Sequence, residues 1–488
     1  MKQKYCLPII KNKATDVHKI ILENRASYDF FEVWLDYIDD LNLGFIEKLT
    51  KEFDWKIIFL FRRQNLAKTK MNFQKKTAIM NLIAESKCFL DLDISQKKEL
   101  DLVKKVKSIR LITSYHNYKK TPSKEKLQEI INDMSKYKPE IIKISTFCSK
   151  NQEAQQIMAL QSQLAEKKIK YIILGMGEKG VITRIAGAII GNEINFAPLS
   201  KKDATASGQL VRSDLEKILK QIKICYFVAD PVDHSLSPQM HNGGYKALGI
   251  ENSFIYLRHL VKPEDLKRFI DQTKIDPNFR GASISIPHKV KVMNYLDSID
   301  TVAYKIGAVN TIVKEGKQLK GYNTDYLGIL SPLKKQGVNL KDKSAAILGA
   351  GGAARAAVYA LVSSGAKVTI FNKSLEKAQG LAQEFNCQFD SLKNINKISE
   401  FDIVINTTSV GSNPADHALV AKNLIKPNQI IFDIVYTKDH PQTRLIKDSL
   451  TQKAKTISGV DMLIYQGAEQ FKLFTKKKIP IHILKESI

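Results

Sequence analysis

An apolar strand, a glycine-rich turn and an alanine-rich helix follow one another in SAAILGAGGAARAAVYALVSSGAKVTIFNKS, residues 344–374. Their order suits a dinucleotide site. Gly349 permits the tight turn at the strand end, and Gly351 lets backbone approach a pyrophosphate. Gly352 and Ala353 carry the chain into the helix, whose N-terminus favours phosphate, and Ala354 is small enough for helix to pack on strand. The second strand, KVTIF, ends at Asn372-Lys373-Ser374, with Lys377 one turn on. An NAD site places a carboxylate here to grip the ribose 2′-hydroxyl. This position has two cations and no acid, which suits a 2′-phosphate and predicts NADP as cofactor. A glycine-rich loop alone is weak evidence; strand, loop, helix and second strand together are not.

Such a turn needs a doubly wound sheet around it, and 488 residues leave room for at least one further core. Hydrophobic residues at 44% and charged residues at 26% describe an ordinary globular chain. No apolar run is long enough to span a bilayer, and MKQKYCLPIIKNK reads as a short strand, not a signal peptide. Cys6, Cys88, Cys148, Cys225 and Cys387 are scattered without a CxxC pair. That argues against disulfides or a metal site and for a reducing cytoplasm. The net charge of +26 raises a nucleic-acid reading, but only 11 of 76 basic residues are arginine and the lysines are spread throughout. Base readers concentrate basic residues and favour arginine. A diffuse positive field instead fits small anionic substrates, so neither nucleic acid nor membrane is expected as a partner.

The first 220 residues alternate strand-like runs with polar helix-period stretches. The runs are YCLPII (5–10), FFEVWLD (30–36), KIIFLF (56–61), CFLDLD (88–93), IRLITS (109–114), EIIKIS (140–145), KYIILG (170–175) and EINFAP (193–198). Eight near-regular strand–helix units predict a parallel (β/α)₈ TIM barrel over residues 1–220, in preference to an open sheet. The pattern restarts with ICYFVAD (224–230). An α/β lobe over 222–330, closed by the C-terminal helix region 460–488, and a Rossmann lobe over 331–459 are expected. The fold class is α/β throughout.

From about residue 224 onward the chain resembles shikimate dehydrogenases. The matching motifs are DHSLSPQMHN (233–242), GASISIPHK (281–289), IGAVNT (306–311), GYNTD (321–325), GAGGAAR (349–355), NTTSVG (406–411) and YQGAEQF (465–471). The resemblance implies NADP-dependent reduction of a 3-keto group, with Lys289 and Asp325 polarising the oxygen and relaying a proton. It also implies that Ser235 and Ser237 clamp the substrate carboxylate and that Ser285, Asn310 and Gln466 bond the ring hydroxyls. Thr407, Tyr436 and Gly459 fall in segments that face the nicotinamide or its ribose in that family. GASIS stands where GxNVT is commoner, so Ser285 keeps a hydroxyl but lacks a methyl group. A quinate-preferring dehydrogenase stays open as an alternative.

Residues 1–220 resemble type I 3-dehydroquinate dehydratases, a (β/α)₈ family. His116 in TSYHNYKKTP and Lys143 in EIIKIS carry the match. The resemblance implies a Schiff-base lysine and a histidine acid/base. Isoleucines at 141, 142 and 144 lead to the expectation that burial lowers the lysine pKa. Glu32, Arg62 and Arg184 are implied substrate contacts, with Thr205 and Gln209 in ATASGQ forming a loop over the substrate. Two departures stand out. Trp34 replaces the arginine of the family's Glu-x-Arg, and Leu66 replaces a glutamate that normally bonds the histidine, which leaves His116 without its orienting partner. The barrel therefore reads either as the dehydratase of a chain converting 3-dehydroquinate through 3-dehydroshikimate to shikimate or as an impaired structural module.

Overall fold

In EIIKISTF, alternate residues of a strand must face opposite ways. Ile142 and Ile144 join the apolar layer under the outer helices, while Ile141 faces the barrel interior with Phe30, Phe89, Ile112 and Ile172. The computed structural model describes residues 3–106, 108–232, 235–413, 416–436 and 442–488. It contains two compact units, Met1–Gln221 and Ile222–Ile488.

Among its described residues the first unit has eight strands, β1 (Tyr5–Ile9), β2 (Phe30–Trp34), β3 (Ile57–Leu60), β4 (Phe89–Asp93), β5 (Arg110–Asn117), β6 (Ile141–Phe147), β7 (Tyr171–Met176) and β8 (Asn195–Phe196). They pair in parallel in the order β7-β6-β5-β4-β3-β2-β1-β8, a nearly closed barrel. At the remaining seam, the Glu193 amide just before β8 donates to the Tyr171 carbonyl at 2.8 Å. The interior is graded. Its N-terminal half is apolar, whereas Glu32, Asp91, Asp93, Ser114, His116 and Lys143, all buried, sit farther along the same strands. Burying that much charge is tolerated only where partners are supplied.

Among its described residues the second unit holds two sheets. One is mixed, in the order β10-β9-β11-β13-β14-β12. Its strands are β9 (Lys223–Ala229), β10 (Phe254–Leu260), β11 (Phe279–Ile284), β12 (Ser298–Ile299), β13 (Thr311–Glu315) and β14 (Gln318–Tyr322). The other is all parallel in the order β17-β16-β15-β18-β19-β20. It comprises β15 (Ser344–Leu348), β16 (Lys367–Asn372), β17 (Gln388–Ser391), β18 (Ile403–Asn406), β19 (Ile430–Asp433) and β20 (Lys455–Ile457). This is the dinucleotide-binding order, with its switch point between β15 and β18, where ligands settle beyond the strand C-termini. The long helix Gly459–Thr475 leaves the second sheet and packs on the first. Phe471 and Phe474 join the Tyr245 and Tyr256 core, and a side chain at Gly281 of β11 would meet Phe474 at 2.6 Å. Among the described residues, no helix is long and apolar enough to cross a membrane.

Two candidate active sites

β5 and β6 pair with Ser114 level with Lys143 and His116 level with Ser145. The lysine and histidine thus stand one inward step apart on neighbouring strands. Lys143 Nζ donates to Glu32 Oε1 at 2.6 Å and to Asp91 Oδ2 at 2.8 Å, and it lies 4.3 Å from the Phe196 ring centre. The expected low lysine pKa is corrected by this geometry. Burial is the largest single influence and pushes downward, but Asp91 and Glu32 outweigh it and hold the ammonium above its ordinary value. Asp91 is held well below the usual carboxylate range: burial works against ionisation, and Lys143, Arg62 and His116 overcome it.

The two departures also look different in three dimensions. Trp34 Nε1 donates to Glu32 Oε2 at 2.8 Å, and the Arg62 guanidinium lies 5.2 Å from the Trp34 ring centre. The tryptophan therefore holds the carboxylate that pairs with the lysine. Leu66 is 40% exposed on a short turn at positive φ. His116 nevertheless has a carboxylate partner, because Nδ1 lies 2.9 Å from Asp93 Oδ2. The expectation of an unpartnered histidine is corrected accordingly. Arg62 Nη1 reaches Ser114 Oγ at 3.1 Å and Asp91 Oδ1 at 3.5 Å.

Arg184, on the helix Val181–Ile190, is buried with Nε and Nη2 lacking hydrogen-bond partners among the described residues. Burial pushes its pKa down to about 10. A buried guanidinium with two nitrogens unsatisfied is costly and suits an anion. The 204–209 segment is tied to the end of β7, since Gly177 N donates to Ser207 O at 3.1 Å. Gly208 has φ +78°, and a side chain there would strike Gly177 O at 2.5 Å. Gln209 Oε1 accepts from Thr205 N at 2.8 Å, and its amide donates to Thr205 Oγ1 at 3.2 Å. Gln64 Nε2 contacts Thr205 O at 3.4 Å, joining this loop to the one after β3.

In the second unit, Lys289 lies on a turn five residues beyond the end of β11. Its Nζ donates to Asp325 Oδ2 at 2.5 Å. Asn310 Nδ2 donates to Asp325 Oδ1 at 2.8 Å and contacts Gln466 Oε1 at 3.4 Å. Thr324 Oγ1 reaches the same Gln466 oxygen at 3.2 Å. Lys289, Asp325, Asn310 and Gln466 are thus gathered into one network. A second cluster holds Ser235, Ser237 and Tyr436. Ser237 N donates to Ser235 Oγ at 3.1 Å, and the Tyr436 hydroxyl meets Ser235 and the Leu236 backbone; burial pushes its pKa up. Asp233 and His234, the opening of that motif, lie outside the described residues. Ser285 is half-buried, with its amide donating to Val228 O at 2.9 Å.

The glycine-rich turn is shaped for a ligand with phosphates. Gly349 has φ +113°, and a side chain there would meet Thr407 Oγ1 at 2.8 Å. Thr407 Oγ1 itself donates to Leu348 O at 2.7 Å. A side chain on Gly351 would meet nothing within 4 Å, whereas one on Gly352 would press on Lys289 Cβ at 3.1 Å. Half-buried Ala353 follows within the helix Gly352–Val362. Ser374 caps the helix Leu375–Phe385 by accepting from Lys377 N, Asn372 Nδ2 bonds Ser374 O at 2.8 Å, and Lys373 and Lys377 are exposed. Gly459 packs its backbone against Ile434 O, which a side chain would strike at 2.3 Å.

Residues 5–225 match the family described as Type I 3-dehydroquinase. Residues 227–312 match the shikimate dehydrogenase substrate binding domain, and 332–477 match shikimate / quinate 5-dehydrogenase. A shikimate dehydrogenase (NADP(+)) of Methanococcus maripaludis is 38% identical over 54% of this chain and 96% of its own length. The chain belongs to the shikimate dehydrogenase family. It joins to that enzyme a type I 3-dehydroquinase domain, the architecture of the shikimate pathway's bifunctional enzymes. The bifunctional 3-dehydroquinate dehydratase/shikimate dehydrogenase, chloroplastic, of Arabidopsis thaliana is 29% identical over 97% of this chain and 82% of its own. The crystal structure of shikimate dehydrogenase from Aquifex aeolicus covers 55% of this chain and 97% of its own at 36% identity, with a TM-score of 0.51.

Asp91, Asp93 and Thr324 were not singled out from sequence. A signal exists for the first two: in FLDLD a strand buried at every position carries two acids on one face, which no apolar core would accept without cations opposite.

Proposed function

We propose that the barrel dehydrates 3-dehydroquinate through an imine on Lys143 and that the second unit reduces the product to shikimate with NADPH. The barrel assignment is carried by one observation: a buried lysine bridging two carboxylates, one inward step from a histidine. Lys143 hands a proton to Glu32 across the 2.6 Å contact and attacks the ketone as the neutral amine. Water leaves and a protonated imine forms, which acidifies the neighbouring carbon. His116 takes that proton and returns one to the departing hydroxyl, releasing a second water. Hydrolysis of the imine frees the product and restores Lys143. Arg62 and Arg184 bind the substrate carboxylate, and Thr205 and Gln209 cover it.

In the second unit Ser235, Ser237 and Tyr436 hold the carboxylate, while Asn310, Gln466 and Ser285 bond the ring hydroxyls. The turn at Gly349, Gly351, Gly352 and Ala353 fits the pyrophosphate. Asn372, Lys373, Ser374 and Lys377 fit the adenosine 2′-phosphate, with Thr407 and Gly459 toward the nicotinamide side. A nicotinamide cofactor held there would supply the hydride for the carbonyl carbon. Lys289 steadies the growing oxyanion and passes it a proton, and Asp325, 2.5 Å away, keeps the ammonium aimed. A reducing cytoplasm agrees with five free cysteines. Assay of both half-reactions on the purified chain tests the reading; absence of NADPH-dependent shikimate formation from 3-dehydroquinate defeats it.

A further inference from the structure

The imidazole of His116 faces a conflict at Nδ1. Arg62 Nη1 lies 3.3 Å away and can only donate; Asp93 Oδ2 lies 2.9 Å away and, ionised, can only accept. One ring nitrogen cannot satisfy both. The shorter contact, between a carboxylate and an N–H, places the proton on Nδ1 and leaves the lone pair on Nε2.

Asp93 is built for that task. Its other oxygen, Oδ1, accepts from Ser95 N at 3.0 Å and Ser95 Oγ at 2.7 Å, and its amide donates to Gln96 Oε1 at 2.9 Å. The carboxylate is therefore pinned at the end of β4 with Oδ2 turned to the ring. Asp93 pairs with Ser114 across the ladder, so His116 stands one inward step beyond it. Tyr118 stacks on the ring at 6.1 Å and 21°. Asp91, the other acid of β4, is engaged by Lys143.

We propose that Asp93 is the positioning residue for His116: it fixes the Nδ1–H tautomer, presents Nε2 as the base, and stabilises the imidazolium formed during turnover. This rests on the dehydratase reading, and it means that the carboxylate absent at Leu66 is supplied instead from β4. The charged and titratable groups around the ring are Arg62, Glu32, Asp91, Asp93, Tyr118 and Lys143. Of these, Asp93 makes the direct contact that favours the protonated ring, whereas burial and Arg62 oppose it.

The test is Asp93→Asn in the full chain, with Asp93→Glu beside it. Asp93→Asn should lower dehydratase kcat by roughly 10²-fold, with KM and borohydride trapping of the imine retained. The acid limb of its kcat profile should move down by about one pH unit, because the lost carboxylate favoured the protonated ring. Asp93→Glu should restore part of both. A kcat within threefold of wild type and an unmoved limb would overturn the proposal. Should Asp93→Asn fail to fold, ¹⁵N imidazole shifts of wild-type protein, assigned with His116→Ala, decide the matter. An Nδ1–H tautomer supports the proposal and an Nε2–H tautomer refutes it. That spectrum reads the contact even if wild type proves inert toward 3-dehydroquinate, an outcome that sinks the dehydratase reading instead.

Discussion

Each unit holds a lysine against a carboxylate, and the two arrangements differ in how completely the charge is enclosed. Lys143 has a side chain 5% exposed and touches two carboxylates; Lys289 is 15% exposed and touches one. A nucleophilic amine has to give up its proton, so acceptors on two sides store the charge and offer a route for it to leave. A lysine that acts on an oxyanion stays charged, and one carboxylate suffices to aim it. On the proposed roles, the number of acids around each lysine, more than the apolarity of its strand, matches what that lysine has to do.

Removing either lysine sharpens the contrast. Lys143→Ala should abolish dehydration while shikimate oxidation continues, because the two sites lie in separate units. It should also cost the barrel about 3–5 kcal/mol by leaving two buried acids facing no ammonium, visible as a lower melting temperature. Lys289→Ala should cut dehydrogenase turnover by about 10²–10⁴-fold with cofactor affinity little changed. If binding suffers and turnover survives, Lys289 is an anchor and the comparison collapses.

Smaller effects probe the surroundings. Lys373→Asp should lower efficiency with NADP by about tenfold and favour NAD, since a carboxylate repels the 2′-phosphate and accepts the 2′-hydroxyl; equal wild-type efficiency with both cofactors contradicts the assignment. Asp91→Asn removes a charge that holds the Lys143 pKa up, so the onset of imine trapping should shift to lower pH. The depressed pKa values of Asp91 and Asp93 stabilise the fold above their unfolded values, near pH 4. That contribution is lost as pH falls further toward the folded values, and thermal melts of the barrel between pH 5 and 2.5 should show it.

The fold was legible because it is written locally: eight strand–helix units, then GAGGAAR after a buried strand. The paired dehydrogenase residues were legible because each sits in its own ordered motif. The charge environment of Lys143 was not, for a geometric reason. Ile142 and Ile144 flank it in sequence but point outward, while its partners come from β2 and β4, 111 and 52 residues away. The partner of His116 was hidden likewise. Reading Leu66 as a lost contact assumed that the carboxylate had to come from the β3 loop, whereas Asp93 reaches the ring from β4.

The central claim, that Lys143 is a nucleophile stored as an ion pair, has a direct measurement. Borohydride added to the full chain with saturating 3-dehydroquinate should leave a covalent adduct whose mass maps to the peptide carrying Lys143. His116→Ala should still yield that adduct, and its trapping rate should rise with pH as the ammonium gives up its proton. No adduct on wild-type protein, or one on a different lysine, would contradict the account and leave the barrel a structural companion of the dehydrogenase.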